Sequence, residues 1–572
     1  MKKILKYMKG YEKECVLGPL FKLTEAVFEL LVPLVVQHII DYGIAEEDRS
    51  SIWGSVGVLV LFGVVGLACA LAAQYFAAKA AVGFSTRLSC ALFGKVQSLS
   101  FYELDNLGTS NIITRMTNDV NQVQTGINLT LRLLLRSPFV VFGAMIMAFF
   151  VDVKCALIFL ATIPVLSVAV FGIMILTIPL YRRVQNRLDR VLKKVRENLG
   201  GVRVIRAFCM EDKEKADFRE ENDRLYSSQV SVGRISALMN PLTYVIVNVA
   251  IIILIQKGAV RVESGILTQG AVVALYNYMS QILVELVKFA NLIINVTKAV
   301  ASGNRIQTVF EQENTLEHGK YSEERLCEDE IRFENVYLKY RGAGDWSLKD
   351  ISFSVGRGQT LGILGGTGSG KSSLISLIPH FYDADKGRVL VFGHDVKTLD
   401  TEHLREDVAV VMQTAVLFRG TLRDNMKWGN KDATDEEITE AIRLAQGADI
   451  VASKEKGLDE MISEGGKNLS GGQRQRLTIA RALVRHPKIL ILDDSASALD
   501  MATDAKLREA VASLKDVTKV IVSQRASSVL AADKIIVLDD GEISACGTHE
   551  ELMNSSEIYR EIYHTQFPEG EE

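Results

Sequence analysis

Apolar residues crowd into the first half of this chain. Six long apolar stretches, at about 16–40, 56–78, 129–151, 156–180, 238–255 and 271–296, precede residue 300, and no stretch of that length follows. A membrane span needs ~20 mostly apolar residues, and in lipid a lone segment satisfies its own backbone only as a helix. One such stretch by itself reads equally well as a buried core helix. Six in series, ending where a polar half begins, predict six membrane-spanning helices.

The connections distinguish the two sides of the membrane. The first, third and fifth are short, and the first carries Glu46, Glu47 and Asp48. The second, about 79–126, and the fourth, about 181–237, are long. The fourth is rich in cations, among them Arg182, Arg183, Arg187, Arg190, Lys193, Lys194 and Arg196. Lys2, Lys3, Lys6, Lys9 and Lys13 make the N-terminus a basic segment suited to a membrane surface. Positive residues stay on the cytoplasmic side, which predicts cytoplasmic termini, cytoplasmic long loops and a multi-pass protein of the cell membrane. No small-residue cleavage site follows a short apolar core, so no signal peptide is expected.

Leu188, Val191 and Val195 recur at helical spacing, so the long loops read as helix carrying the spans into the cytoplasm. Each loop has a breaker, Asn106-Leu107-Gly108 in one and Gly200-Gly201 in the other. These predict short helices near 106–110 and 202–208 that touch another domain.

Composition agrees with a chain of two unlike parts. Of 572 residues, 48% are hydrophobic and 23% charged, and the mean hydropathy is +0.16. A net charge of −4 offers no electrostatic reason to bind nucleic acid. The seven cysteines are scattered, with no CxxC pair, which argues against a disulfide framework or zinc site. The expected organisation is a membrane domain at 1–310, a polar linker at 311–330 containing His318-Gly319-Lys320, and an α/β domain with a largely parallel sheet at 331–572.

Chemistry appears in the second half. An apolar strand at 360–364 runs into Gly365-Gly366-Thr367-Gly368-Ser369-Gly370-Lys371-Ser372, followed by Ser373 and a helix. This is a phosphate loop: glycines let backbone N–H groups converge on phosphate oxygens, Lys371 reaches the outer phosphates, and the Ser372 hydroxyl suits Mg²⁺. A second strand, 488–492, ends in Asp493-Asp494, where a carboxylate faces the ligand crevice. Between them stands Leu469-Ser470-Gly471-Gly472-Gln473, opening a helix over 474–484. This is a second anion cradle in a domain that needs only one. Its use is to reach the phosphate held by another copy, so a dimer is implied.

These motifs, in this order, resemble an ABC exporter half-transporter over nearly the whole chain. The resemblance implies an N-terminal all-α polytopic membrane domain and a C-terminal α/β P-loop ATPase domain with a helical subdomain. It implies ATP and Mg²⁺, the metal being held by Ser372, Gln413 and Asp493. Tyr340 matches the aromatic that stacks on adenine, and Gln413 the glutamine that senses Mg²⁺ and contacts the membrane domain. Glu464-Gly465-Gly466 matches the loop before the signature Leu469–Gln473, and Ser497-Ala498-Leu499-Asp500 the loop that speaks across the dimer. The loop breaks fall where the family places coupling helices.

Two positions depart from the family pattern. Asp494 stands where the family has the glutamate general base, and Gln524 where it has the switch histidine. A carboxylate one methylene shorter sits too far from the attacking water. Glutamine hydrogen-bonds phosphate but carries neither proton nor charge. The resemblance is therefore to the degenerate-site half of a heterodimeric bacterial multidrug exporter, with an intact signature serving the partner. An active homodimer, or a peptide, lipid or haem-precursor exporter, is the alternative.

The spans hold charges of their own: Lys22, Glu25 and Glu29 in the first, Arg132 and Arg136 in the third, Glu285 and Lys288 in the sixth. Two readings stand. They are structural pairs, or Glu25, Glu29 and Glu285 form the wall of a cavity for cationic, hydrophobic or amphipathic cargo, with Tyr276, Asn277, Tyr278 and Phe289 adding contact.

Overall fold

The computed structural model describes residues 3–316, 319–320, 328–340, 343–495 and 498–567. His318 and Ser497 lie outside the described residues. The chain divides into two compact units, one of Met1–Ser98 and Leu107–Glu313, the other of Leu99–Asn106 and Asn314–Glu572.

Six long apolar helices build the first unit: Glu12–Ile44, Arg49–Gln97, Thr109–Val151, Val153–Gly200, Glu211–Glu263 and Gln269–Phe310. Each contains one predicted span, and most run far beyond it. The second, with 49 residues, is roughly 70 Å long at the standard helical rise. Side chains set the starts: Asp48 accepts from Ser50 N–H, Asp152 from Cys155 N–H and Thr268 from Ala271 N–H. Asp152 is also the entire connection between the third and fourth helices and pairs with Arg261.

The apolar surfaces point two ways. Ala26, Leu30, Val140, Ala144, Phe159, Leu254, Ala274 and Tyr278 pack into one buried cluster. Small residues bring the helices close, and a Cβ on Gly126 would stand 2.2 Å from Ala299 Cβ. On the second helix Val60, Leu61, Val64, Leu67 and Leu71 are each more than half exposed. In water such a stripe is a liability; in lipid it is the solvated face.

The breaks in the long loops are real, but one short helix lies elsewhere than expected. It spans Phe101–Leu107 rather than 106–110, ending at Gly108 with φ 72°. Gly108 is the break, and the short helix lies ahead of it. In the fourth connection Val202–Ala207 follows Gly201 as anticipated.

The second unit is built on a six-stranded sheet, in the spatial order Glu542–Gly547, Lys534–Asp539, Thr360–Gly365, Thr518–Ser523, Ile489–Asp493 and Val408–Val411. All neighbours are parallel except the Glu542–Gly547 edge. Ile489, Leu490 and Ile491 are fully buried, as expected of a parallel strand covered on both faces. A separate antiparallel sheet of Leu348–Gly356, Asp329–Leu338, Lys386–Val391 and His394–Asp395 was not foreseen. The strand Asp329–Leu338 begins two residues inside the stretch read as linker.

A helical region around Met426, Ile438, Ile442, Ala445, Leu477 and Ala480 has its own core. The Leu99–Asn106 segment packs within this unit. Phe101 lies 4.5 Å from Phe381 between ring centroids, Tyr382 Oη donates to Asp105 at 2.6 Å, and Glu103 accepts from Thr315 Oγ1 at 2.6 Å.

Candidate functional site

The buried strand Thr360–Gly365 delivers the phosphate loop to the C-terminal edge of the parallel sheet. Gly368 and Gly370 take φ of 87° and 97°, a conformation that L side chains rarely adopt. A Cβ built on Gly366 or Gly368 meets nothing within 4 Å, so the loop encloses open space. The helix Lys371–Leu377 follows directly.

Lys371, Ser372, Gln413, Asp493, Asp494 and Gln524 converge on one pocket of about 350 Å³. Lys371 Nζ folds back on the loop and donates to Gly365 O at 2.8 Å and Gly366 O at 2.5 Å. Burial lowers its pKa below the usual lysine value, against the opposing pull of Asp494 and Asp493. Ser372 Oγ donates to Asp493 Oδ2 at 3.0 Å. Burial pushes the Asp493 carboxyl up, the Ser372 hydrogen bond holds it down, and the neighbouring Asp494 charge adds to the rise. Asp494 follows with φ 43°, its N–H bonded to Val522 O at 2.9 Å, and its Oδ2 lies 3.4 Å from Gln413 Nε2.

Leu469, Ser470, Gly471, Gly472 and Gln473 do not line this pocket. Ser470 caps the helix Gly471–Leu483 in a capping box with Gln473. Against it packs the adjacent loop: a Cβ on Gly472 would stand 3.1 Å from Ala498 O, Leu499 is buried, and Asp500 Oδ2 accepts from Thr503 N–H at 3.0 Å. Gly465 and Gly466 turn the chain ahead of it with φ of 69° and 66°.

Tyr340 lies beside the phosphate pocket, next to Ser373 of the helix that follows the phosphate loop. Its hydroxyl donates to Ser373 Oγ at 3.1 Å, and its ring stands edge-on to Tyr382 in a neighbouring cavity of about 220 Å³. The aromatic lining the phosphate pocket is Trp346, with Lys386 Nζ 5.3 Å from its ring. Sequence reasoning missed Trp346, along with Ser347, Asp540 and Gly541 at the same pocket. The Asp540-Gly541 turn between two strands was a usable signal; Trp346, alone on a loop, had none.

The carboxylates of the spans are not free. Arg136 bridges three helices, with Nη1 2.6 Å from Glu285 Oε1 and Nη2 2.5 Å from Glu29 Oε2. Ser137 and Lys288 each donate to Glu285 at 2.8 Å, and Lys22 pairs with Glu25 at 2.5 Å. Glu285 is 2% exposed. These carboxylates thus sit in ion pairs, two of them across helices through Arg136 and two within one helix. Tyr278 likewise is core, fully buried with its hydroxyl on Leu30 O at 2.7 Å.

Residues 15–286 match the ABC transporter transmembrane region, and residues 348–497 match the ABC transporter domain. Over 568 residues the chain is 37% identical to the ABC transporter ATP-binding protein YfiB of Bacillus subtilis (strain 168), covering 99% of both. The chain belongs to the ABC transporter family. This ABC transporter is also 32% identical over 582 residues to a protein of the same strain named for multidrug export, the ATP-binding/permease protein YgaD, covering 99% of both. To the ATP-dependent lipid A-core flippase of Escherichia coli (strain K12) it is 28% identical, covering 93% of this chain and 92% of that one. Its fold matches a bacterial Atm1-family ABC exporter solved with ATP bound, at a TM-score of 0.82 and 21% identity, covering 98% of this chain and all of the other. It is a half-transporter, with six apolar helices and one nucleotide-binding unit of the ATPase class in a single chain.

The residues of this transporter fit a magnesium nucleotide. The glycine cradle is open, and the Ser372 hydroxyl meets the buried Asp493 carboxylate, oxygen donors suited to a hard divalent cation.

Proposed function

We propose that this chain is one half of a heterodimeric, ATP-driven exporter of hydrophobic or amphipathic compounds, lifted from the cytoplasm or inner leaflet. In this reading it holds ATP at a site that hydrolyses slowly or not at all, and lends its signature to the partner's nucleotide. One observation carries the reading: both Asp494 and Gln524 line the phosphate pocket, and Asp494 Oδ2 lies 3.4 Å from the Gln413 amide. A short carboxylate engaged by a neighbouring amide is poorly placed to take a proton from water. Gln524 is able to hydrogen-bond a terminal phosphate and unable to offer it a positive charge or a transferable proton.

The remaining residues supply binding. The loop N–H groups and Lys371 hold the phosphates, and Trp346 or Tyr340 offers a face to the base. Ser372, Asp493 and Gln413 would hold Mg²⁺, which supplies neutralisation of phosphate charge. Ser470 to Gln473 lie outside this chain's own pocket, as a cradle for the partner's nucleotide requires. The cationic fourth connection supports cytoplasmic placement of the nucleotide-binding unit and both termini. The relatives named for multidrug export and lipid A-core flipping favour lipid-like or drug-like cargo over peptides.

The test is restoration. In the assembled transporter Asp494→Glu with Gln524→His should raise ATP hydrolysis severalfold. Unchanged hydrolysis would show that these two positions are not what limits the site.

A further inference from the structure

The helix Glu557–Gln566 is anchored to the wall of the nucleotide site. Tyr559, fully buried, shares a core with Leu364, the residue just before Gly365, and with Val529, Ile535 and Leu552. Its hydroxyl meets His549 Nδ1 at 2.8 Å, and Ser556 caps the helix start. At its last residue the helix reaches the loop that follows the strand Thr518–Ser523. There Gln566 Nε2 donates to Gln524 O at 2.9 Å, and Gln566 Oε1 accepts from Ala526 N–H at 2.8 Å.

One planar amide thus grips the backbone on both sides of Arg525, whose own N–H bonds back to Ser523 Oγ at 2.9 Å. With the carbonyl of 524 and the N–H of 526 both tied, the peptide planes of this loop cannot turn freely. The direction in which the Gln524 side chain leaves the backbone is fixed with them, and Gln524 lines the phosphate pocket. A second cavity of about 270 Å³ opens on the other side, where Gly365, Gly366, Gln524, Thr565 and Gln566 meet. Gln566 is itself exposed, so its amide fills no core.

We propose that Gln566 is a positioning residue of the nucleotide site: its amide clamp on residues 524 and 526 aims Gln524 at the terminal phosphate and so sets how long ATP stays bound. The proposal rests on the reading above, in which this chain retains ATP. It adds a dependence of ATP retention on the seating of the last helix.

The experiment uses the full chain in its membrane assembly, loaded with Mg²⁺ and radiolabelled ATP and chased with unlabelled ATP. Gln566→Ala should speed release about fivefold, the scale of one or two net hydrogen bonds, with the melting midpoint unmoved. Gln566→Glu should behave like Gln566→Ala, because its carboxylate still accepts from Ala526 N–H but repels Gln524 O. In a Gln524→Ala background, Gln566→Ala should add nothing, since the side chain that the clamp aims is gone. Unchanged release in Gln566→Ala, or an equal acceleration in the Gln524→Ala background, overturns the clamp. A parent chain that retains no ATP overturns the underlying reading instead, and the two failures are separable.

Discussion

Gln413 Nε2 stands 3.4 Å from Asp494 Oδ2, so the carboxylate after Asp493 is engaged by an amide of the same pocket. A competent general base has its carboxylate on the attacking water, and losing one ordinarily costs roughly 10²–10⁴-fold. Asp494→Asn keeps an oxygen that can accept from Gln413 and removes the charge and the proton-accepting carboxylate. Steady-state ATPase of the assembled transporter should stay within about twofold of the parent, far short of that general-base loss. A hundredfold drop would make Asp494 the working base.

The signature should act elsewhere. Ser470 and Gln473 form a closed capping box at the start of Gly471–Leu483, outside the phosphate pocket. Ser470→Arg places a long cation in the cradle and removes the cap hydroxyl. Hydrolysis by the assembly should fall by about 10²-fold, the scale of losing one anion-stabilising donor. ATP retained on this chain's own Lys371 should be unaffected, as read by photolabelling of each subunit. Loss of labelling on this chain instead would place the signature at its own site.

What was legible in the chain follows physical reach. Spans declare themselves because lipid demands unbroken apolar runs, and Val60, Val64 and Leu67 need nothing else to be read. The phosphate loop was legible because backbone geometry forces glycines into fixed positions. The short helix Phe101–Leu107 was misplaced because its residues carry no breaker until Gly108, and its reason to form is contact with Phe381 and Tyr382, far along the chain. Gln566 acts on backbone groups 40 and more residues away, and an amide on an exposed helix end has no periodic signature. Tyr340 and Trp346 illustrate the same limit, since which aromatic faces a pocket is decided by tertiary packing.

The ion network predicts a stability effect separate from transport. Arg136 is buried between Glu29 and Glu285, and Glu285 is nearly inaccessible. Arg136→Met leaves Glu285 with the exposed Lys288 as its remaining cationic partner. Stripping one member from a buried pair costs about 3–5 kcal/mol, so the melting midpoint in detergent should fall clearly. Adding Glu285→Gln should recover part of that loss. Glu25→Gln, by contrast, should leave efflux of cationic dyes unchanged, because Glu25 already faces Lys22. Reduced cationic efflux would favour the cargo-wall reading of Glu25 instead.

Acidification should move two properties of the nucleotide site in opposite directions. Burial raises the Asp493 carboxyl above its ordinary value, with the Ser372 hydroxyl opposing. A carboxyl with a raised pKa binds its proton more readily in the folded chain than in the unfolded one. Its contribution to folding is complete below the unfolded pKa and is lost as pH rises through the folded pKa. Holding a divalent cation needs the ionised form, so Mg²⁺–ATP affinity should weaken over that same interval as pH falls. Asp493→Asn removes the titration from both. The difference between parent and variant should show apo melting gained, and Mg²⁺–ATP affinity lost, on lowering pH from neutrality toward the carboxylate range. Equal pH slopes in parent and Asp493→Asn, by calorimetry and by nucleotide titration, would mean that Asp493 does not titrate there.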